Sequence, residues 1–184
     1  MDTPLLIAIV TVSITILGWL INHILTARRD SASQRLSASL KYIERQLEEL
    51  YGPLTFLIIE GRRASMDFVI ANGREPVFGS MNADEVKLWR FWAEHDLLPR
   101  NEKIQQLLMT KTHLIDGDKI PPSFVTFLEH HNSWRMSHLR WKKEGVEYNW
   151  RSEIGWPAEF TDEVVNTFGI LKANQDKITK QMQS

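Results

Sequence analysis

Cysteine is absent from all 184 residues. That excludes a disulfide framework and thiolate chemistry, and it agrees with a reducing compartment. An excess of charge of one sign is missing too: beyond Asp2 the chain carries 22 basic and 22 acidic residues, which argues against a broad electrostatic footprint for nucleic acid. No stretch shows the two-residue alternation of half-buried strands, and there is no internal repeat or low-complexity tail. HExxH, paired Glu-x-x-His, a Gly-rich phosphate loop and a nucleophile elbow are all lacking. Neither a metal nor a cofactor is expected.

The most consequential absence is local. From Leu5 to Leu25 the chain has no charged residue, and Arg28 and Arg29 follow almost at once. As an α-helix those 21 residues would span about 31 Å, the thickness of a bilayer's hydrocarbon core. Leu, Ile and Val favour insertion, while Asn22 and His23 fall at one end, near the headgroups. Met1-Asp2 supplies no positive n-region and the run has no small-x-small cleavage site, so a retained anchor is expected rather than a signal peptide. Arg28, Arg29 and Arg35 lie on its C-terminal side. The positive-inside rule then places the N-terminus outside and the remainder in the cytoplasm of a single-pass inner-membrane protein.

Ala8, Thr11, Thr15, Gly18 and Asn22 recur at spacings of three and four, so small or hydrogen-bonding residues form one stripe of this helix. Such stripes let two helices approach closely and bond across the interface, which points to a homo-oligomer in lipid. Alternatively the hydroxyls bond their own helix carbonyls. A further reading lines an aqueous pore with the stripe and needs many copies.

The spacing predicts three regions: an anchor over 1–27, a juxtamembrane amphipathic helix over 28–51, and a cytosolic bundle over 52–184. Leu36, Leu40, Ile43, Leu47 and Leu50 make one apolar seam, too short for a convincing coiled coil and suited to the chain's own bundle. Gly52-Pro53 predicts a kink or a new helix, with an apolar face running to an αL cap near Gly73. A loop follows over 73–82. Asn82-Ala-Asp-Glu85 has the pattern of a capping box, starting a helix that ends before Pro99. Further helices are predicted over about 100–115, 123–143 and from Pro157 onward. The class is all-α, an antiparallel bundle of about five or six helices hung from one span.

Two constellations could carry chemistry. Phe127, His131, Trp134, His138 and Trp141 fall on a four-three-four-three spacing, with Arg135 one turn from His131. His131, Arg135 and His138 therefore form either a ligand or acid/base pocket or a polar core network that fixes helix register. The two imidazoles are two turns apart, too far to chelate one metal ion unaided. Asp116-Gly-Asp118 lacks the remaining ligands of a calcium loop. The second constellation is Arg90-Phe-Trp-Ala-Glu-His95. Arg90 and His95, brought together by a bend or across two subunits, could stabilise a pentavalent phosphate and move protons in metal-free RNA cleavage.

That spacing resembles the R-x(4 to 6)-H signature of HEPN-type ribonucleases, which are all-helical and dimeric; Phe91 departs from it, since the family favours a polar residue after the Arg. ELYGPL (Glu49 to Leu54), LWRFWAEHDLLPRNEKI (Leu88 to Ile104), HLIDGDKIPPSF (His113 to Phe124) and the Arg140-Trp141 pair resemble a family of small bacterial proteins with one N-terminal span and a helical cytosolic domain. In layout the chain is also similar to the membrane accessory protein of RNA-targeting type VI-B CRISPR loci, a likeness that implies a divergent HEPN-like motif and ring-shaped membrane oligomers. The expectation is a non-enzymatic membrane scaffold or accessory protein that touches lipid, its own copies and a cytosolic protein partner in a stress or defence setting. RNA enters only under the ribonuclease alternative.

Overall fold

Prolines at 53 and 99 set the problem that the backbone has to solve, because each lacks an amide hydrogen and its ring crowds the carbonyl four residues back. In the computed structural model both are accommodated without ending a helix. The structure describes residues 3–73, 81–148 and 151–183, without the side chains of 4–10, Ile14 and Asn72. Helix α1 (Thr3–Gln46) passes through a five-residue π-turn, Leu47–Tyr51, into α2 (Gly52–Asn72). Likewise α3 (Ala83–Trp92) passes through a second π-turn, Ala93–Leu97, into α4 (Leu98–Thr110). In each case the residue before the proline bonds five back, Gly52 N–H to the Leu47 carbonyl and Leu98 N–H to the Ala93 carbonyl. Each π-turn contains the residue four before its proline, where the ring would otherwise crowd a carbonyl.

The expected new element does begin at Gly52-Pro53, where α2 opens directly after the π-turn, and the helix begun at Asn82 passes into a π-turn that ends at Leu97 before α4 opens at Leu98. The predicted five or six helices are, among the described residues, about four long helical stretches; the other two are α5 (Pro122–Glu144) and α6 (Ala158–Gln183). The class is all-α, with no strand among the described residues.

The helix expected over about 100–115 ends earlier, at Thr110, and is followed by a 3-10 turn at Thr112–Leu114. Asn82 Oδ1 accepts from the amides of Asp84 (3.0 Å) and Glu85 (2.9 Å), and Glu85 accepts the Asn82 amide at 2.8 Å, a complete capping box. Gly73 ends α2 and Gly145 ends α5 at φ of 67° and 70°, backbone that glycine adopts without steric cost. The loop expected over 73–82 falls mostly on residues 74–80, outside the described residues.

The chain divides into two compact units, residues 43–174 and a second comprising 1–42 with 175–184. In the first, one core joins Leu47, Leu50, Tyr51, Leu54 and Ile58 to Ile104 and Leu108 of α4, Phe124 and Phe127 of α5, and Phe160, Val164 and Leu171 of α6. The seam read from Leu36 to Leu50 thus packs on its own bundle from Ile43 onward. A second, aromatic cluster gathers Phe68, Trp89, Ala93, Leu98 and Trp134. A polar clasp fastens the first π-turn region to the stretch after α4. Gln46, 1% exposed, donates to the Leu114 carbonyl (3.0 Å); Lys111 pairs with Glu49 (2.7 Å); the Tyr51 hydroxyl accepts the Asp116 amide (3.0 Å). Such pairing satisfies groups that would otherwise be costly to bury.

In the other unit, residues 11–35 of α1 are exposed wherever they are described. Among the described residues no helix is long and apolar enough to cross a membrane. The side chains of Leu5 to Val10 and of Ile14, which belong to the uncharged run, lie outside the described residues.

Candidate functional site

Helix α5 carries the predicted seam, and burial along it is graded. Phe127, His131 and Trp134 are 0%, 1% and 5% exposed, while His138 and Trp141 are half-buried. Three histidines on this helix have three environments. His131 stacks on Phe127 (ring centroids 6.3 Å apart) and neither ring nitrogen has a hydrogen-bond partner. Burial, with the Arg135 and His130 charges adding, pushes its pKa down to about 4, so the ring is neutral near pH 7. Arg135 itself is exposed.

His130, outside the predicted seam, is the better-held ring. Its Nδ1 lies 2.6 Å from the Ile154 carbonyl, which can only accept, so Nδ1 carries the proton. Ser152 donates to the His130 carbonyl (2.8 Å), and the Trp156 ring packs edge-on against the imidazole. His130 therefore fastens the irregular 151–156 segment to α5. Burial lowers its pKa against the raising effect of the Ile154 and Gly155 backbone. Nothing in local sequence marks this role, because the partner lies 24 residues away in a stretch without periodicity.

His138 opens toward α3. Its Nδ1 is 3.1 Å from the Tyr148 hydroxyl. Burial pushes the Tyr148 phenol up to about 12, with the nearby Trp134 indole acting in the other direction, so the hydroxyl keeps its proton. Lys142 pairs with Glu94 at 2.6 Å and holds that carboxyl below its usual range. The His138 ring is shifted down by burial and by Lys142, with Glu94 opposing.

Arg90 reaches this same place. Its guanidinium lies 5.9 Å from the Trp141 ring centroid and pairs with Glu147 at 3.4 Å, a cation–π and ion-pair seat joining α3 to the end of α5. His95 is placed differently: it lies in the second π-turn, stacks on Phe91 at 4.6 Å and donates from Nδ1 to the Phe91 carbonyl at 3.1 Å. Within one chain Arg90 is held by Trp141 and Glu147 and acts on Tyr148, while His95 is held by Phe91 of its own helix.

Sequence reading also missed the Arg100 network. Arg100, 8% exposed, pairs with Asp96 at 2.5 Å and Glu60 at 3.6 Å, and Gly61 leaves room for it, since a β-carbon there would stand 3.0 Å from Nη1. This joins α4 to α2 beside the second π-turn.

On α1, the predicted stripe residues Thr11, Thr15, Gly18 and Asn22 are all exposed, and the Ala8 side chain lies outside the described residues. Thr15 donates to the Thr11 carbonyl at 2.9 Å, the bond the alternative reading called for, and nothing stands within 4 Å of a β-carbon built on Gly18. Among the described residues no three His, Asp or Glu side chains are grouped to hold a metal ion. What α5 and α3 build is a set of ion pairs and aromatic contacts around imidazoles whose pKa values are pushed down, an arrangement suited to holding helices in register. The chain matches no family model, no curated protein and no solved structure.

Proposed function

We propose that this chain is a membrane-anchored, self-associating helical scaffold or accessory protein that presents its bundle to a cytosolic protein partner. The observation that carries this reading is the exposure of α1. Val12, Ile16, Leu17, Trp19, Leu20, Ile21, Ile24 and Leu25 are 44–65% exposed, within a stretch that carries no charged residue from Leu5 to Leu25. So many large apolar side chains left exposed on one helix call for a protein partner or lipid around them. With Arg28, Arg29 and Arg35 following, lipid insertion leaves the bundle in the cytoplasm. The polar stripe from Ala8 to Asn22 then faces other copies, and membrane association in a defence or stress setting agrees with the layout of the type VI-B accessory proteins.

Alkaline extraction of membranes from cells making the full chain tests the anchor. Retention in the pellet is expected, and release into the supernatant overturns it. Changing Thr15 and Gly18 together to Leu should lower the oligomer mass in lipid; an unaltered mass counts against the stripe. Ion conductance in planar bilayers that is lost with that double change would favour the pore form of the same assembly.

A ribonuclease reading has one observation in its favour. The second π-turn falls between Arg90 and the helix that follows His95, and π-turns recur at functional sites. Under that reading the two residues act across a dimer. Arg90→Ala and His95→Ala should then abolish RNA cleavage, and purified protein with no cleavage to lose removes the enzyme.

A further inference from the structure

Helix α2 has two apolar seams, and only one is covered by its own chain. Leu54, Ile58 and Phe68 are buried, with Gly61 and Ala64 between them. On the opposite side Phe56, Ile59, Met66 and Ile70 are 67%, 52%, 50% and 74% exposed. At about 100° per residue these four, with exposed Arg63, fall inside a stripe about 80° wide, some 190° from the buried seam. Their spacing of three, four, three and four is that of heptad a and d positions, with Phe56, Arg63 and Ile70 at a and Ile59 and Met66 at d.

We infer that the outer face of α2 is a parallel pairing surface for a second copy of this chain. Charge on the flanks favours that occupant. Glu60 and Asp67 lie at e positions on one side, and Arg62 lies at g on the other. In a parallel pair each g residue meets the partner's e residue five positions on, so Arg62 of either copy faces Asp67 of the other twice over. Among the described residues neither Arg62 nor Asp67 forms an ion pair within its own chain. Arg63 at a central a position lowers pair stability but penalises slipped registers, the role that one polar a residue plays in two-stranded coiled coils. The parallel sense follows from these charges, since an antiparallel pair would set Arg62 against Arg62 and Asp67 against Asp67, and the presence of both copies in one membrane rests on the anchored reading.

Because the chain has no cysteine, a single introduced thiol reports this directly. In membranes containing the full chain, Met66→Cys should oxidise to a disulfide dimer, since in-register parallel pairing brings each position 66 within about 7 Å of its copy. Ser65→Cys, exposed but off the seam, should stay monomeric. Arg62→Asp on the Met66→Cys background should lower the dimer yield at least threefold, and Arg62→Asp with Asp67→Arg should restore it. Retention of the protein in alkali-washed membranes is measured on the same samples. A retained chain that gives no Met66→Cys dimer, or equal dimer from Ser65→Cys, overturns the inference and leaves the anchor standing. A thiol at 66 that resists maleimide in a monomer overturns it in favour of another cover from the same chain. A chain released by alkali that still dimerises through position 66 overturns the anchor and keeps the seam.

Discussion

Replacing His131 by Phe tests whether a neutral, unbonded imidazole sits in the core. The ring is 1% exposed and its pKa is about 4, against 6.5 for the free side chain. Between those values the unfolded chain binds a proton that the folded chain refuses, so folding stability falls as pH falls from 6.5 toward 4 and is fully present above 6.5. The complete loss is about 3 kcal/mol, and at pH 5 it is already about 2 kcal/mol. At roughly 2 kcal/mol per M of urea that moves the unfolding midpoint by ~1 M. His131→Phe breaks no hydrogen bond and keeps the stack on Phe127, so at pH 7.5 its stability should lie within about 1.5 kcal/mol of the parent. At pH 5 the variant should be the more stable of the two. The assay is urea unfolding of the full chain in detergent, followed by tryptophan fluorescence at pH 7.5 and 5. His130 and His138, both shifted down, leave a residual slope of the same sign in the variant. Parallel loss of stability in parent and variant would refute the reasoning, as would a His131 titration midpoint near 6.5.

Three other outcomes follow from the packing. Gly52→Ala places a β-carbon against the Leu47 carbonyl oxygen and near Phe168; it should cost about 1–3 kcal/mol as overpacking does, and an unchanged melting temperature would show that the π-turn tolerates a side chain. Arg100→Met strands Asp96 and Glu60, and because those carboxylates are 34% and 52% exposed the loss should be about 2 kcal/mol, below the 3–5 of a fully buried pair. Denaturant unfolding with no change would mean that the stem of Arg100, and not its charge, supports α2. Glu49, held at about 2 by the hydrogen bonds from Lys111 and Arg45, supplies stability present above its ordinary pKa and lost as pH falls toward 2. Its carboxyl carbon should titrate near 2 by NMR in the parent and higher in Lys111→Ala, still below the ordinary 4.5 because Arg45 stays paired with it; an ordinary midpoint in the parent would dissolve the clasp.

Periodicity and end signals were enough to find the helices, because both are local. The seam of α5, the capping box at Asn82 and the left-handed stop at Gly73 depend on residues within a turn or two of one another. The prolines show where local reading ends. Their effect on a helix depends on whether one extra residue can be absorbed into a π-turn, and that is settled by the burial of Leu47, Leu50 and Tyr51 on one side and Ala93 on the other. The candidate site was half legible. The spacing put His131 and His138 on one buried face, but which ring finds a partner was decided by segments far along the chain. Ile154 reaches His130, Tyr148 reaches His138, and His131 is left to aromatic contacts. Arg90 was singled out for its distance from His95, yet tertiary packing seats it on Trp141 beside Glu147. A side chain's charge, length and helical phase are fixed by the sequence alone, whereas the identity of the group across the interface exists only once distant helices have packed, and for a guanidinium or an imidazole that group sets the chemistry.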